Sequence, residues 1–308
     1  MLKIKSPILV TGSHRSGTTW VGQTISQHPR VRYVHEPFNV DYPNKFIGLK
    51  LDTWFTDVET SNRKNEIFNC LNNHFQLKPL NYALAVCKSV GMDMKTPLRF
   101  GKHLMLEYFL SPRILIKDPI ALLSAGWLHE TYKFNVICMI RNPFAFIGSI
   151  KVAGWDFDFQ NFRKQDELMM GRLRKFCDRI EYMCMKENNN DFLDRAILLW
   201  NILHFIILEY QKQYPNWLFI KHEDIAGNPN IGFQKIFNYL KLELNANVQN
   251  YIEKFTSKKN PIEVNTSYQP RNSKLLLNTW KDRLTNDEIR RIKLSTGEIA
   301  SQFYETIV

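Results

Sequence analysis

"TGSHRSGTTW", Thr11 to Trp20, stands directly behind the apolar triplet Ile8-Leu9-Val10, and its reading decides the fold. Gly12 and Gly17 let the backbone curl so that successive N–H groups point inward. The residues after Gly17 suit the first turn of a helix, whose N-terminus adds partial positive charge. Strand, glycine loop and helix in that order make an anion cradle of the nucleotide-binding type. The loop departs from the NTPase form at one position. The lysine that reaches β- and γ-phosphates belongs directly after the second glycine, and Thr18 stands there. The cation is instead Arg15, three residues earlier. No strand end offers an obvious metal-binding aspartate, Asp118 after the run 114–116 coming nearest. The loop is built for an anion that needs one fixed cation and hydroxyls, with no metal required, which argues against an ATP or GTP hydrolase.

Outward from the loop, short apolar runs alternate with longer helical patterns. Strands are expected at 8–10, 32–34, 84–87, 114–116, 135–140 and 218–220. Their unbroken hydrophobicity marks strands covered on both faces. Helices are expected at 18–27, 98–109, 120–131 and 143–152, and over 191–213 with Asp191 as N-cap and Tyr214-Pro215 as the stop. The alternation predicts a three-layer α/β/α architecture around a central, mostly parallel sheet. Residues 41–80 and 155–190 break the alternation and read as helical insertions on the acceptor side, where loops carry specificity. No linker or repeat divides the chain, so one domain over 1–308 is expected.

The 308 residues are 44% hydrophobic and 13% aromatic, ample for a core. A net charge of +11 favours an anionic partner. No run of basic residues and no basic–aromatic array suggests nucleic acid, so a polyanionic small molecule held by a few placed cations is preferred. Cys70, Cys87, Cys138, Cys177 and Cys184 are odd in number and dispersed. They lack metal-site spacing and suit a reducing compartment. The chain enters its first strand too soon for a signal peptide. The most apolar stretch, 196–208, contains Asn201 and His204 and falls short of the about 20 residues a bilayer span needs. A cytoplasmic protein without a membrane span is the expectation, and nothing reads out its oligomeric state.

Two motifs carry a resemblance. "SHRSGTTW" resembles the 5′-phosphosulfate-binding loop of the sulfotransferases that use 3′-phosphoadenosine 5′-phosphosulfate (PAPS), whose pattern is basic-Ser-Gly-Thr-Thr. "MIRNPFAFIGSIKVAGW" is similar to that family's 3′-phosphate site, with Arg141 closing a strand and Ser149 eight residues on, two turns into the next helix. The local chemistry agrees, since an arginine at that turn can grip a phosphate in bidentate fashion. "YVHEPF", "LIKDPIALLSAGWL" and "WLFIKHEDI" resemble stretches of the bacterial, carbohydrate and tyrosylprotein branches. "PRNSKLLLNTWKDRLT" is similar to the family's cofactor-covering loop, here 265–285, in which Arg271 would close over the 3′-phosphate. The resemblance implies a P-loop sulfotransferase fold, PAPS as donor, 3′-phosphoadenosine 5′-phosphate (PAP) as product, and a hydroxyl acceptor. It also implies a cofactor set of Thr11, Gly12, Ser13, His14, Arg15, Ser16, Gly17, Thr18, Thr19, Trp20, Arg141, Ser149 and Arg271. Within that set Trp20 reads as packing behind the loop. Trp155 and Trp200 read more readily as core than as stacking platforms.

Sulfuryl transfer needs charge neutralised on the leaving oxygen and the acceptor's proton removed. Arg15 and the Thr18 and Thr19 hydroxyls are assigned the first task. For the second, many cytosolic members place a histidine after a Lys-Thr pair, where this chain has Lys117-Asp118-Pro119. The carbohydrate and tyrosylprotein branches use a glutamate that Glu36 in "HEPF" matches, and a carboxylate at a strand's C-terminal end is placed for proton abstraction. A salt-bridged loop carboxylate is the plainer reading of Glu36. Asp118 is the second candidate base, with a helix cap as its plainer reading. Lys117 either touches the sulfuryl group or sits on the surface. Strand alternation sets His35 and Glu36 on opposite faces. The glutamate tilts the acceptor toward a carbohydrate or glycan. A small-metabolite P-loop kinase and a non-catalytic nucleotide-binding protein are the alternatives.

Overall fold

A computed structural model of the chain describes residues 6–42, 47–75, 113–185, 191–257, 259–261 and 272–305. Its strands are Ile8–Gly12 (β1), Val31–His35 (β2), Arg113–Lys117 (β3), Asn135–Ile140 (β4) and Leu218–Lys221 (β5). They pair in parallel in the order β2-β3-β1-β4-β5. The expected strand 84–87 and helix 98–109 lie outside the described residues.

Alternate strand residues feed two separate cores. Leu9, Ile116, Val136, Cys138 and Ile140 face one apolar cluster, while Ile8, Val10, Leu115, Ile137 and Met139 face the other. This explains the unbroken hydrophobicity of the runs, because each side chain is buried whichever way it points. Helices Thr18–Ser26 (α1), Pro229–Leu240 and Ala246–Thr256 cover the second face. Ala125–Tyr132, Pro143–Val152 (α4), Phe192–Gln213 (α8) and Asn286–Ala300 cover the first. The described residues also form the helices Lys64–Phe75 (α2), Gln160–Arg163 (α5), Asp166–Met170 (α6) and Cys177–Cys184 (α7), with Ala125–Tyr132 being α3 and His222–Gly227 (α9) following β5.

Helix boundaries follow local chemistry. Asn142 caps α4, its side chain accepting from Phe144 N–H at 2.9 Å with Pro143 in the first turn. Asp191 caps α8 by accepting from Leu193 N–H at 3.2 Å. The helix expected at 120–131 begins instead as a 3₁₀ segment, Ile120–Ser124, before α3. The Asp118 carboxylate draws in the N–H groups of Ile120 and Ala121 there, which tightens the first turn.

The two interrupting segments dock on each other. Trp54 N–H donates to Asn161 Oδ1 at 2.8 Å, and Asp57 N–H donates to Gln165 Oε1 at 2.9 Å. Among the described residues no helix is long and apolar enough to cross a membrane.

Candidate active site

All five described strands end at one edge, and their C-terminal residues build the site. The chain leaves β1 at the centre and proceeds first to one side of the sheet, then to the other, so the edge beyond β1 is a topological switch point. A cleft of about 840 Å³ opens there, lined by residues of the glycine loop, Glu36, Arg141, Ser149, His222 and Arg283.

Both loop glycines sit where a side chain would be strained. A Cβ on Gly12, at φ 131°, would lie 2.2 Å from Met139 O on the neighbouring β4. One on Gly17, at φ 84°, would lie 2.6 Å from His222 Nδ1. Ser16 Oγ donates to Ser13 O and closes the loop. Thr11, Gly12, Ser13 and Ser16 are buried and shape the cradle from behind, while His14, Arg15, Gly17, Thr18, Thr19 and Trp20 line the cleft. The Thr11 Oγ1 and Ser13 Oγ atoms have no hydrogen-bond partner among the described residues. No acidic residue stands in the first turn of α1, so nothing offsets that helix end's attraction for an anion. Trp20 packs edge-on against Phe233 at 5.2 Å, behind the loop as expected, with part of its ring on the cleft wall.

Arg141 and Ser149 join the loop in this cleft. Arg15 Nε donates to Ser149 Oγ at 3.0 Å, which couples the two motifs although 134 residues separate them. Burial lowers the Arg15 guanidinium's pKa, and the charge of Arg283 adds to the effect. Arg141 is 8% exposed, and its Nε stands 3.6 Å from Glu223 Oε1. Its backbone is clamped by α8: the Arg141 N–H donates to His204 Nε2 at 3.3 Å, and Trp200 Nε1–H donates to Arg141 O at 2.9 Å. His204 faces the Trp200 carbonyl through Nδ1. Burial holds its pKa down at about 3, so the ring stays neutral and can accept. Trp200 is thus core, as expected, with a polar duty besides. Arg271 lies outside the described residues. Ser273, Leu276, Thr279 and Arg283, from the expected covering segment, do line the cleft.

At the other end of the edge stands Glu36. It follows β2 with φ 38°, and its N–H donates to Lys117 O at 2.9 Å. Its carboxylate pairs with Lys117 Nζ and accepts from Asn39 Nδ2 at 2.8 Å. Burial pushes its pKa up, but the Lys117 charge and the hydrogen bonds from Lys117 and Asn39 outweigh that, so the net displacement is downward. Glu36 is therefore both salt-bridged and on the cleft wall, an ionised carboxylate that can accept a proton.

Two sequence expectations need correction, and Asp118 takes its plainer reading. Lys117 neither lines the cleft nor sits on the surface: it is 1% exposed, underneath Glu36. Asp118 is 0% exposed and caps its helix while also accepting from Phe38 N–H at 2.7 Å. Burial raises its pKa to about 7, and its oxygens face backbone N–H groups rather than the cleft, as in the helix cap that was its plainer reading. His35 and Glu36 are not on opposite faces. His35 Nε2 lies 3.9 Å from Glu36 Oε2, because the left-handed backbone at Glu36 ends the strand's alternation.

Residues that sequence reasoning left without a role also enter. His222 opens α9 against the loop, Glu223 receives the Asn142 N–H at 3.2 Å beside Arg141, and Arg283 adds a third cleft arginine. The signal for His222 and Glu223 was the place of "KHED" just after a strand, and Arg283 belongs to the expected covering segment 265–285.

Residues 7–246 match the model described as Sulfotransferase family. The chain belongs to the sulfotransferase family. Comparison with curated proteins finds no match. Among solved structures, a sulfotransferase domain from the curacin biosynthetic pathway is 16% identical, with 97% of each chain covered and a TM-score of 0.50. A sulfotransferase from Alicyclobacillus acidocaldarius is 13% identical, covering 98% of this chain and 96% of that one, at a TM-score of 0.46. Mouse sulfotransferase SULT7A1 complexed with PAP is 13% identical, covering 98% and 85%, at 0.43. At such identities the curacin likeness is one of fold: this sulfotransferase shares a P-loop-like α/β architecture with an all-parallel central sheet among the described residues.

Proposed function

We propose that this sulfotransferase moves the sulfuryl group of PAPS to a hydroxyl of a small-molecule or glycan acceptor, a carbohydrate by preference, and releases PAP without a metal. One observation carries the reading: the lysine-free anion loop and the Arg141–Ser149 pair meet in one cleft, joined by the 3.0 Å Arg15–Ser149 hydrogen bond. A nucleotide with an anion at each end of its ribose fits two such sites.

The chain's own atoms fit this donor. Arg141 Nε and His222 Nδ1 are buried without a hydrogen-bond partner among the described residues, and buried polar atoms of this kind call for one. The loop N–H groups, Arg15, Thr18 and Thr19 would hold the 5′ end, and Arg141 with Ser149 the 3′-phosphate. Bound PAPS supplies an activated sulfuryl group. Arg15 neutralises charge on the oxygen that departs with the electron pair of the broken S–O bond, as the acceptor oxygen forms the new one. Glu36 receives the acceptor's proton, and Lys117 beneath it keeps that carboxylate ionised and in place. Lys117 is thus a positioning residue.

The test is transfer from sulfur-labelled PAPS, with calorimetry of PAP and ATP–Mg²⁺ alongside. Glu36→Gln should bind PAP normally and lose turnover by about 10²- to 10⁴-fold. Binding of ATP–Mg²⁺ without binding of PAP would point to a kinase. PAP binding with turnover indifferent to Glu36→Gln would remove that residue as the base.

A further inference from the structure

Two sequence-distant segments bring aromatic side chains to the wall of the cleft that also holds Glu36. Trp54 and Trp155 are half-buried, with ring centroids 5.7 Å apart, and both line the cleft that holds Glu36. Behind them Phe55, Phe157 and Phe162 form a buried layer with centroids 4.9 to 6.0 Å apart. Each indole is anchored at its backbone, Trp54 N–H to Asn161 Oδ1 at 2.8 Å and Trp155 N–H to Ile150 O at 3.1 Å. Phe55, next to Trp54, is held at φ 55°, a left-handed conformation unfavourable to a bulky side chain. Backbone strain of this sort persists where surrounding structure imposes it, and it gathers at ligand sites.

His14 completes the wall. Its ring lies 4.3 Å from Trp155 and 4.8 Å from Phe146, and it lines the cleft immediately before Arg15. The residue is 7% exposed, yet neither ring nitrogen has a hydrogen-bond partner among the described residues. Burial, reinforced by the Arg15 charge, holds its pKa down at about 3. A neutral imidazole set among aromatic rings can donate through one nitrogen and accept through the other, which suits a hydroxyl better than a charged group. A plain aromatic core would have no reason to hold such a group unpaired, because an unsatisfied buried polar atom is destabilising.

We propose that Trp54, Trp155 and His14 form the acceptor subsite, and that it takes a hydroxyl-bearing ring, of a sugar or a phenol, laid against the indoles. Indole faces gain most from a flat ring face, and a flexible alkyl chain offers them less contact. His14 pairs with a polar substituent of that ring, while Glu36 faces the hydroxyl that is sulfated. The inference rests on the sulfotransferase reading above and adds the acceptor class to it.

Three probes test it with the full chain and sulfur-labelled PAPS: octyl β-D-glucopyranoside, 4-nitrophenol and 1-octanol. At least one ring probe should be sulfated with kcat/KM about tenfold or more above that of 1-octanol, and which ring probe it is separates sugar from phenol. Trp155→Leu and Trp54→Leu should each raise the KM for that probe about tenfold, with PAP affinity by calorimetry unchanged. Trp155→Phe should restore most of the loss, and His14→Asn should retain more activity than His14→Leu. Should Trp155→Leu lose PAP binding through misfolding, Trp54→Leu and Trp155→Phe decide the matter. Equal use of 1-octanol and the ring probes, unchanged KM in both leucine variants, or no transfer to either ring probe while PAP binds would each overturn the acceptor wall. Failure of the wild-type protein to bind PAP would overturn the donor reading instead.

Discussion

Replacing Lys117 with methionine keeps the buried stem and deletes the cation paired with Glu36. The pair's side chains are 1% and 16% exposed, so little solvent screens it. At an effective dielectric near 20, two unit charges about 3 Å apart attract by about 5 kcal/mol. Breaking a buried pair typically costs about 3–5 kcal/mol. Glu36 keeps its Asn39 hydrogen bond and an edge on the cleft, so the lower end, about 3 kcal/mol, is expected near neutral pH. The pH dependence has a definite sign. In the wild type the folded carboxyl titrates below its ordinary value of 4.5. The pair's contribution is therefore complete above that value and is lost as pH falls through the lower folded pKa. In the variant Lys117 no longer opposes burial, which only the Asn39 hydrogen bond and His35 still counter, so the folded pKa rises; the penalty is largest at neutral pH and vanishes once Glu36 is protonated. Urea unfolding near pH 7 and near pH 4 should show a wide gap between wild type and variant at the first and a narrow one at the second. The acid limb of kcat/KM should move to higher pH. Adding Glu36→Gln to the variant should recover much of the lost stability, since no buried charge is then stranded. An equal gap at both pH values, or a double variant no more stable than Lys117→Met, would refute the reasoning.

Other variants separate structure from chemistry. Asp118→Ala strips acceptors from the N–H groups of Phe38, Ile120 and Ala121, and should lower stability by about 2 kcal/mol in urea titrations while kcat stays near normal. Trp200→Phe removes the donor to Arg141 O. It should weaken PAP about fivefold, with adenosine 5′-phosphosulfate unaffected in the same calorimeter. Gly17→Ala combines about 1–2 kcal/mol of left-handed backbone strain with a Cβ 2.6 Å from His222 Nδ1. It should cost at least about tenfold in PAP affinity, with the far-ultraviolet circular dichroism of the fold retained.

What the sequence made legible was local. The runs 8–10 and 135–140 announced buried parallel strands because both faces of the sheet are apolar, and Asn142-Pro143 announced α4 because cap and first turn are adjacent in the chain. The loop and the Arg141–Ser149 spacing were readable for the same reason. The Glu36–Lys117 pair was not, since it depends on the register that sets His35 beside Lys117 in neighbouring strands. The His35–Glu36 reading failed because alternation assumes extended backbone and Glu36 is left-handed. The clamp on Arg141 comes from α8, 59 and 63 residues away. The aromatic wall joins segments whose hydrogen bond spans 107 residues. Burial takes Lys117 and Asp118 off the cleft wall, and no local pattern distinguishes a buried lysine from an exposed one.

The central claim is that this cleft holds a nucleotide by a 3′-phosphate as well as by its 5′ end. Calorimetry of wild type and Arg141→Ala with PAP and with adenosine 5′-phosphosulfate tests it most directly. Loss of charge-assisted bonds worth about 1.5–3 kcal/mol each should weaken PAP by roughly 10- to 150-fold, and should leave adenosine 5′-phosphosulfate within about twofold, as it lacks the 3′-phosphate. Equal losses for the two ligands, or no PAP binding by the wild type, would contradict the account.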